Sequence, residues 1–347
     1  MNRNVWEELV LNDIFEKCIR FAFQWRSSSQ SRQKCFHICA MFHLEPPTPD
    51  QQVLIRQALN EDVNTRDKDL EAIKDWLRKE PHLPDTWDDT MLMNFLRSCN
   101  FSLEKTKRRL DKYFTVKAVV PEFFTDYDIA SPEIRKILNM VEIGTMPGIT
   151  PQGRRVHIVR IATPEYEDFD TNCCGKVLFM LAHIYFKIEK EASAGEIYVL
   201  DGENCMLKHF LKFSPIFAKK FLVCTLDVLP VKIKEVHILN PPFFVDSIVA
   251  LVKPFLKEKF FKRAHFHKDL STLHEYISKD LLPEEYGGTA GKLKLHWDKY
   301  LAACEAFKPW FKEQEKIKAD ESKRPGKATS YEDFFGLHGS FRTLAVD

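Results

Sequence analysis

The chain has 347 residues, of which 44% are hydrophobic, and its 51 basic and 50 acidic side chains leave a formal charge of +1. A chain of this length and composition can bury a large core. The balanced charge excludes a protein that attracts nucleic acid through its overall field, so we expect no nucleic-acid partner. Electrostatic binding to a membrane would need a local basic patch.

Nine cysteines are scattered along the chain without the regular framework of a small disulfide-bonded secreted domain. This predicts a reducing compartment and hence a cytoplasmic protein. Cys35, His37 and Cys39 have metal-binding side chains but lack a second pair at suitable spacing, so we expect no metal site there. No apolar run reaches the roughly 18 residues that a membrane-spanning helix needs.

Residues 1–49 differ from the rest of the chain. Trp6, Ile14, Phe21 and Trp25 belong to a rough helical stripe that precedes a polar stretch, and a Pro-rich linker follows Met41. Two interpretations remain open: the stripe is a membrane-surface helix, or the segment is an upstream extension with little structural role.

Residues 50–125 show helical periodicity only, as at Leu70, Ile73 and Leu77, with breaks near Pro81 and Asn100. They predict a small all-helical amino-terminal domain. From residue 126 to 290 strands alternate with helices, and strands are predicted at 156–161, 196–200, 233–239 and 264–266. Strands that alternate with helices of this length form a mainly parallel α/β sheet.

The stretch 243–260 is predicted to be a third helix of this region, after those at 177–188 and 217–228. It is apolar nearly all round, so it must be covered on more than one side. An ordinary buried helix explains this, but so does a lid that faces a ligand when closed and a bilayer when open. Lys253, Lys257, Lys259, Lys262 and Arg263 add a basic rim, which favours the lid.

Motifs of common α/β enzymes are missing: the sequence has no GxGxxG after a strand, no GxSxG and no HExxH. His265 and His267 share one face of a strand, which is compatible with two metal ligands, but structural histidines are favoured because no carboxylate or thiol partner is identifiable. Asp201 ends a strand where α/β ligand sites lie, and a loop-capping role is favoured over catalysis. We therefore expect no enzyme, no cofactor and no metal.

Four segments resemble the CRAL-TRIO lipid-binding family, in its α-tocopherol transfer protein and retinaldehyde-binding protein branch. They are MLMNFLRSCNFSLEKTKRRLDKYF, EIYVLDGEN, LPVKIKEVHILNPPFFVDSIVALVKPFLKEKFFKR and LLPEEYGG, and the similarity covers roughly residues 50–288. The ending GSFRTLAVD is similar to that of insect members. The resemblance implies a CRAL-TRIO fold in which one hydrophobic lipid is held under a mobile gate helix without catalysis.

The resemblance also implies two sets of binding residues. Cavity and gate residues are expected from the helices and strands that surround the lipid in the family: Phe179, Ile184, Leu200, Phe217, Phe221, Ile248, Leu251, Val252 and Phe255. Phosphoinositide-binding residues are expected at the family's basic positions: Lys232, Lys234, Lys259 and Arg263.

One difference from some members of the family reduces the range of ligands that we expect. Phosphatidylinositol transfer members of the yeast type hold their headgroup with a Glu and a Lys, and this chain has Lys253 but Val231 at the Glu position. A weakly polar ligand such as a tocopherol, retinoid, carotenoid or sterol-like molecule is therefore favoured. We expect a monomer that exchanges this ligand at phosphoinositide-containing intracellular membranes; a docking scaffold that exchanges no lipid is the alternative.

After residue 290, an amphipathic helix is predicted around Trp297, Tyr300 and Leu301. The charged stretch 312–327 that follows is predicted to be a solvated linker. The aromatic segment after it is expected to pack back on the domain, so that residues 291–347 form a carboxyl-terminal helix and tail.

Overall fold

The computed structural model describes residues 44–164, 169–189 and 191–336. The apolar stripe of residues 1–40, the Cys35, His37 and Cys39 group and the ending GSFRTLAVD lie outside this description.

The amino-terminal part is helical, as predicted. Its helices are α1 (Pro49–Leu59), α2 (Arg66–Leu77), α3 (Asp89–Ser98), α4 (Leu103–Val119) and the short α5 (Pro121–Phe124). Leu92, Phe95 and Leu110 are buried where α2, α3 and α4 meet. The apolar positions spaced three or four residues apart thus form one shared core.

The second part begins with α6 (Pro132–Met140) and contains a five-stranded sheet. The strands lie in chain order: β1 (Val141–Ile149), β2 (Arg154–Ile161), β3 (Gly195–Asp201), β4 (Ile233–Leu239) and β5 (Ala264–His267). The β1 strand pairs antiparallel with β2, and the other strands are parallel to their neighbours. This confirms the predicted mainly parallel α/β fold, although β1 was not predicted.

Three connections join β2 to β3, β3 to β4 and β4 to β5. The first contains α7 (Thr171–Ile188), the second contains α8 (Leu207–Leu211) and α9 (Pro215–Val223), and the third contains α10 (Val245–Val252) and α11 (Glu258–Phe261). Right-handed crossovers between parallel strands that follow one another in order all lie on the same face of the sheet. We call this the crossover face.

The opposite face is covered by the segments after β5, which include α12 (Leu270–His274). Here Val156, Ile158, Ile197 and Val199 are at most 2% exposed and pack against Leu273. This face is an ordinary close-packed core.

The carboxyl-terminal part continues with α13 (Leu293–Ala306), α14 (Lys308–Gln314) and α15 (Tyr331–Phe335). The α13 helix confirms the predicted amphipathic helix. The solvated-linker prediction for residues 312–327 was wrong, because Ala319 is buried and its N–H donates to the Phe114 carbonyl, while Arg324 forms an ion pair with Asp111. The pairing with charges of the amino-terminal helices is not visible in the composition of the stretch itself.

Candidate functional site

The segment that was predicted as one apolar helix over residues 243–260 is broken into shorter pieces, so that prediction was wrong in its detail. The α10 helix ends at Val252, a 3₁₀ turn covers Lys253–Phe255, and α11 begins only at Glu258. Pro254 explains the break, because proline has no N–H to donate and its ring clashes with the preceding helical turn. We call residues 243–261 the gate segment.

The gate segment is apolar but poorly covered by protein. None of the residues in its three helical pieces is fully buried. Ile248, Leu251, Val252 and Phe255 are all partly exposed. Four apolar side chains would ordinarily be buried in a close-packed core, so the space they face is not filled by side chains.

The crossover face of the sheet also carries apolar side chains that are poorly covered by protein. The β-strand register places Leu200 beside Ile238, and Ile238 beside Phe266. Leu200 is 38% and Phe266 50% exposed, whereas Val199, the neighbour of Leu200 on the opposite face, is fully buried. One strand thus has a packed side and an open side, and by the crossover rule the open side is the one on which the β4–β5 connection, which contains the gate segment, lies. We call the space between them the chamber.

The predicted cavity residues fall into two groups. Leu200, Phe221 and the four gate residues are partly exposed. Phe179, Ile184 and Phe217 are buried in the protein core. The rings of Phe179 and Phe217 lie 5.5 and 5.9 Å from the ring of Phe221, so they support the chamber wall from behind.

The gate segment begins at a constrained turn. Asn240 has a positive φ of 49°, its side chain donates to the Asp201 carboxylate at 3.0 Å, and its N–H donates to the His267 carbonyl at 3.0 Å. Asp201 also accepts from the Glu203 N–H at 3.1 Å and from the Tyr286 hydroxyl at 2.9 Å. These contacts confirm the favoured structural role of Asp201 and anchor the start of the gate segment on the sheet.

The predicted basic residues lie around the start of β4 and the end of the gate segment. Arg263 donates to the Ile233 carbonyl at 2.6 Å, and the charged groups of Lys259 and Arg263 lie 5.3 and 5.8 Å from the Phe260 ring. Lys232 donates to the Ala58 carbonyl at 3.2 Å.

Electrostatic repulsion links Lys232, Lys234 and Arg263 and adds Arg154, a member that sequence reasoning missed. Burial lowers the pKa of Lys234, and the charges of Arg154 and Arg263 lower it further. Burial and the charge of Lys234 lower the pKa of Lys232 to about 8. Arg154 is also paired with Glu235. Cations that destabilise one another in this way gain from a bound anion. We call Arg154, Lys232, Lys234, Lys259 and Arg263 the basic cluster.

Of the two histidines considered as metal ligands, His267 belongs to a hydrogen-bonded series of side chains on the packed face, and His265 stacks on it. His237 Nδ1 lies 2.9 Å from His267 Nε2, His237 Nε2 lies 3.2 Å from Glu235, and the His265 ring stacks on His237 at 5.0 Å. The described residues contain no group of three or more side chains arranged to hold a metal ion.

The buried His237 makes the stability of the protein depend on pH. Burial lowers the pKa of His237 to about 4, and the nearby His265 and His267 oppose its protonation while Glu235 favours it. An unfolded histidine takes up its proton near pH 6.5, so the free energy of unfolding should fall as pH drops from 6.5 towards 4, by up to about 3 kcal/mol. Urea titrations between pH 6.5 and 4 should show that the free energy of unfolding falls less in His237→Gln than in the wild type. An equal fall in the free energy of unfolding in both proteins would show that His237 does not cause the pH dependence.

A family model described as the CRAL/TRIO domain matches residues 139–288, and one described as a Pinta-like UBA domain matches residues 62–134. The alpha-tocopherol transfer protein-like protein of Mus musculus is 31% identical over 261 residues, which cover 74% of this chain and 76% of that protein. The chain belongs to the CRAL-TRIO lipid-binding family. Clavesin-1 of Rattus norvegicus is also similar to this chain, with 27% identity over 73% of this chain and 72% of its own length.

A solved structure described as the crystal structure of Sfh5 matches 73% of this chain and 99% of its own, with a TM-score of 0.45 and 10% identity. In the part of the chain that the structure describes, no helix is both long and apolar enough to cross a membrane.

Proposed function

We propose that this protein carries one small hydrophobic ligand in the chamber and exchanges it at phosphoinositide-containing membranes, without catalysis. The observation that carries the proposal is the half-exposed apolar surface on both sides of the chamber, at Leu200 and Phe266 on the sheet and at Val252 on the gate segment. Such a space binds an apolar molecule because the ligand removes this surface from water. The name of the tocopherol-related relative favours a tocopherol-like cargo.

The membrane step is supported by a second apolar surface outside the chamber. Leu211, Ile216 and Phe243 are 72%, 47% and 87% exposed, and the Phe243 ring packs on Phe244, which stacks with Phe210 of α8. We call these three exposed residues the apolar rim. Because the apolar rim includes the start of the gate segment, its insertion into a bilayer would place the gate segment at the membrane surface.

The protein is then a monomeric cytoplasmic carrier that binds intracellular membranes peripherally. The basic cluster attracts the anionic headgroups, and the gate segment opens to let the ligand pass. A headgroup can favour the open state only by its greater affinity for that state.

A transfer assay separates this function from that of a docking scaffold. Donor vesicles carrying a fluorescent tocopherol analogue are mixed with acceptor vesicles, with and without a few per cent of phosphatidylinositol bisphosphate. We expect the protein to speed transfer, and more so to the acceptors that contain the phosphoinositide. Vesicle binding without any increase in transfer would support the scaffold.

The apolar rim gives a sharper test of the membrane step. Replacing Leu211 and Phe243 together by Asp should weaken vesicle binding about tenfold or more, because two large apolar side chains no longer enter the bilayer. Ligand loading should not change. The matched control is Leu295→Asp, a side chain that is 56% exposed on α13. An equal loss of vesicle binding in the control would show that the apolar rim has no special role.

A further inference from the structure

The chamber is not bordered by apolar side chains alone. Tyr198 lies on the crossover face, two residues before Leu200 on β3, and pairs with Val236 of β4 in the strand register. Like Leu200, it is not fully buried. A phenol therefore stands among the apolar residues of the sheet that face the chamber.

The ring of Tyr198 is held in a fixed position. It stacks on the His157 ring, with 4.9 Å between ring centres and 21° between ring planes. His157 is itself fixed from both sides, because Nε2 lies 2.6 Å from the Glu196 carboxylate and Nδ1 lies 2.9 Å from the Thr145 hydroxyl. A side chain supported in this way loses little freedom when it binds a ligand.

The hydroxyl of Tyr198 differs from those of its neighbours. The Tyr185 hydroxyl donates to Glu196 at 3.2 Å, and the Thr145 hydroxyl contacts both His157 and Tyr300. The Tyr198 hydroxyl has no protein partner among the described residues. Once a ligand shields this hydroxyl from water it needs a hydrogen-bond partner, because leaving it unpaired then costs free energy.

The electrostatic environment keeps this hydroxyl protonated. Burial raises the pKa of Tyr198 above its ordinary value, and the Glu196 carboxylate and Tyr300 add to the effect. The group therefore offers a proton to an acceptor throughout the physiological pH range, and its two lone pairs can also accept.

We infer that Tyr198 is the polar anchor of the chamber, and that the cargo is an apolar molecule with one hydroxyl or carbonyl oxygen that hydrogen-bonds to the Tyr198 hydroxyl. This inference rests on the proposed carrier function and narrows its ligand class. A pure hydrocarbon would leave the phenol unpaired in the closed chamber, so the site discriminates against it.

The test compares two ligands that differ by a single oxygen. Phytanol (dihydrophytol) and phytane, the corresponding saturated alcohol and alkane, are used to displace diphenylhexatriene from the full-length protein, and the ratio of their affinities is measured. We expect Tyr198→Phe, which keeps the ring on His157, to reduce the preference for phytanol about 3- to 10-fold, as the loss of one neutral hydrogen bond requires. Comparing this ratio between the wild type and Tyr198→Phe removes the contribution of ligand solvation, because the solvation difference between the two compounds is the same for both proteins.

Tyr276→Phe is the control, because the Tyr276 ring packs against His265 at 4.7 Å on the packed side of the sheet, and it should leave the ratio unchanged. An unchanged ratio in Tyr198→Phe would overturn the anchor while leaving the carrier function standing. Failure of the wild-type protein to bind diphenylhexatriene at all would overturn the carrier function, and the anchor with it.

Discussion

Val252→Asp should abolish ligand loading, with an affinity for an apolar fluorescent probe that is about 100-fold lower or worse. A bound ligand would enclose the new carboxylate without a partner, and burying an unpaired charge costs several kcal/mol. Val252 is only partly buried among protein side chains, so the variant should still fold. Leu251→Asp should have the same effect. Probe titration measures loading, and a thermal melt by circular dichroism checks the fold.

Ala250→Asp is the matched control, because Ala250 belongs to the same helix but is exposed. It should load the probe as the wild type does. Normal loading by Val252→Asp and Leu251→Asp would show that the gate segment does not cover the ligand.

Replacing Lys234 and Lys259 by Ala should weaken binding to phosphoinositide vesicles about 30-fold, because each well-placed cation contributes about 1 kcal/mol at an anionic surface. These two residues are preferred to Arg263, whose side chain also holds the Ile233 carbonyl at 2.6 Å. Ligand loading should be unaffected. Vesicle co-sedimentation measures the effect, and raised salt should weaken binding of the wild type in the same direction.

The control for this pair also removes two positive charges. Lys262 and Lys268 are exposed, and Lys262 is paired with Glu258 at 3.0 Å. Their replacement by Ala should weaken binding only a few-fold. Equal losses for both pairs, or equal binding of the wild type to neutral and phosphoinositide vesicles, would mean that the basic cluster is an ordinary solvated surface.

Much of the sheet could be predicted, because its parallel strands are either continuous apolar runs or show a clear alternation of apolar and polar residues. The predicted strand at 233–239 matches β4 at both ends, and those at 156–161 and 196–200 are each within two residues of β2 and β3. The β1 strand escaped prediction because Pro147 and Gly148 lie within it, and these residues normally indicate a turn.

The site was less predictable, because its properties arise from contacts between distant parts of the chain. Arg154 joins the basic cluster through the sheet and is not close in sequence to the other members. The break at Pro254 had a signal in the sequence, but the apolar character of the surrounding residues outweighed it in the prediction of one helix. Tyr198 lies in a strand that looks uniformly suited to a core, and only the stacking on His157 and the unpaired hydroxyl distinguish it.

Native mass spectrometry of the protein isolated from its own tissue tests the central claim most directly, because it reports the number and the mass of bound molecules together. The account predicts one non-covalent apolar molecule for each chain, which is lost in Val252→Asp and retained when Lys234 and Lys259 are replaced. A wild-type protein that is always empty, or a mixture of several loosely bound lipids that persists in Val252→Asp, would contradict it.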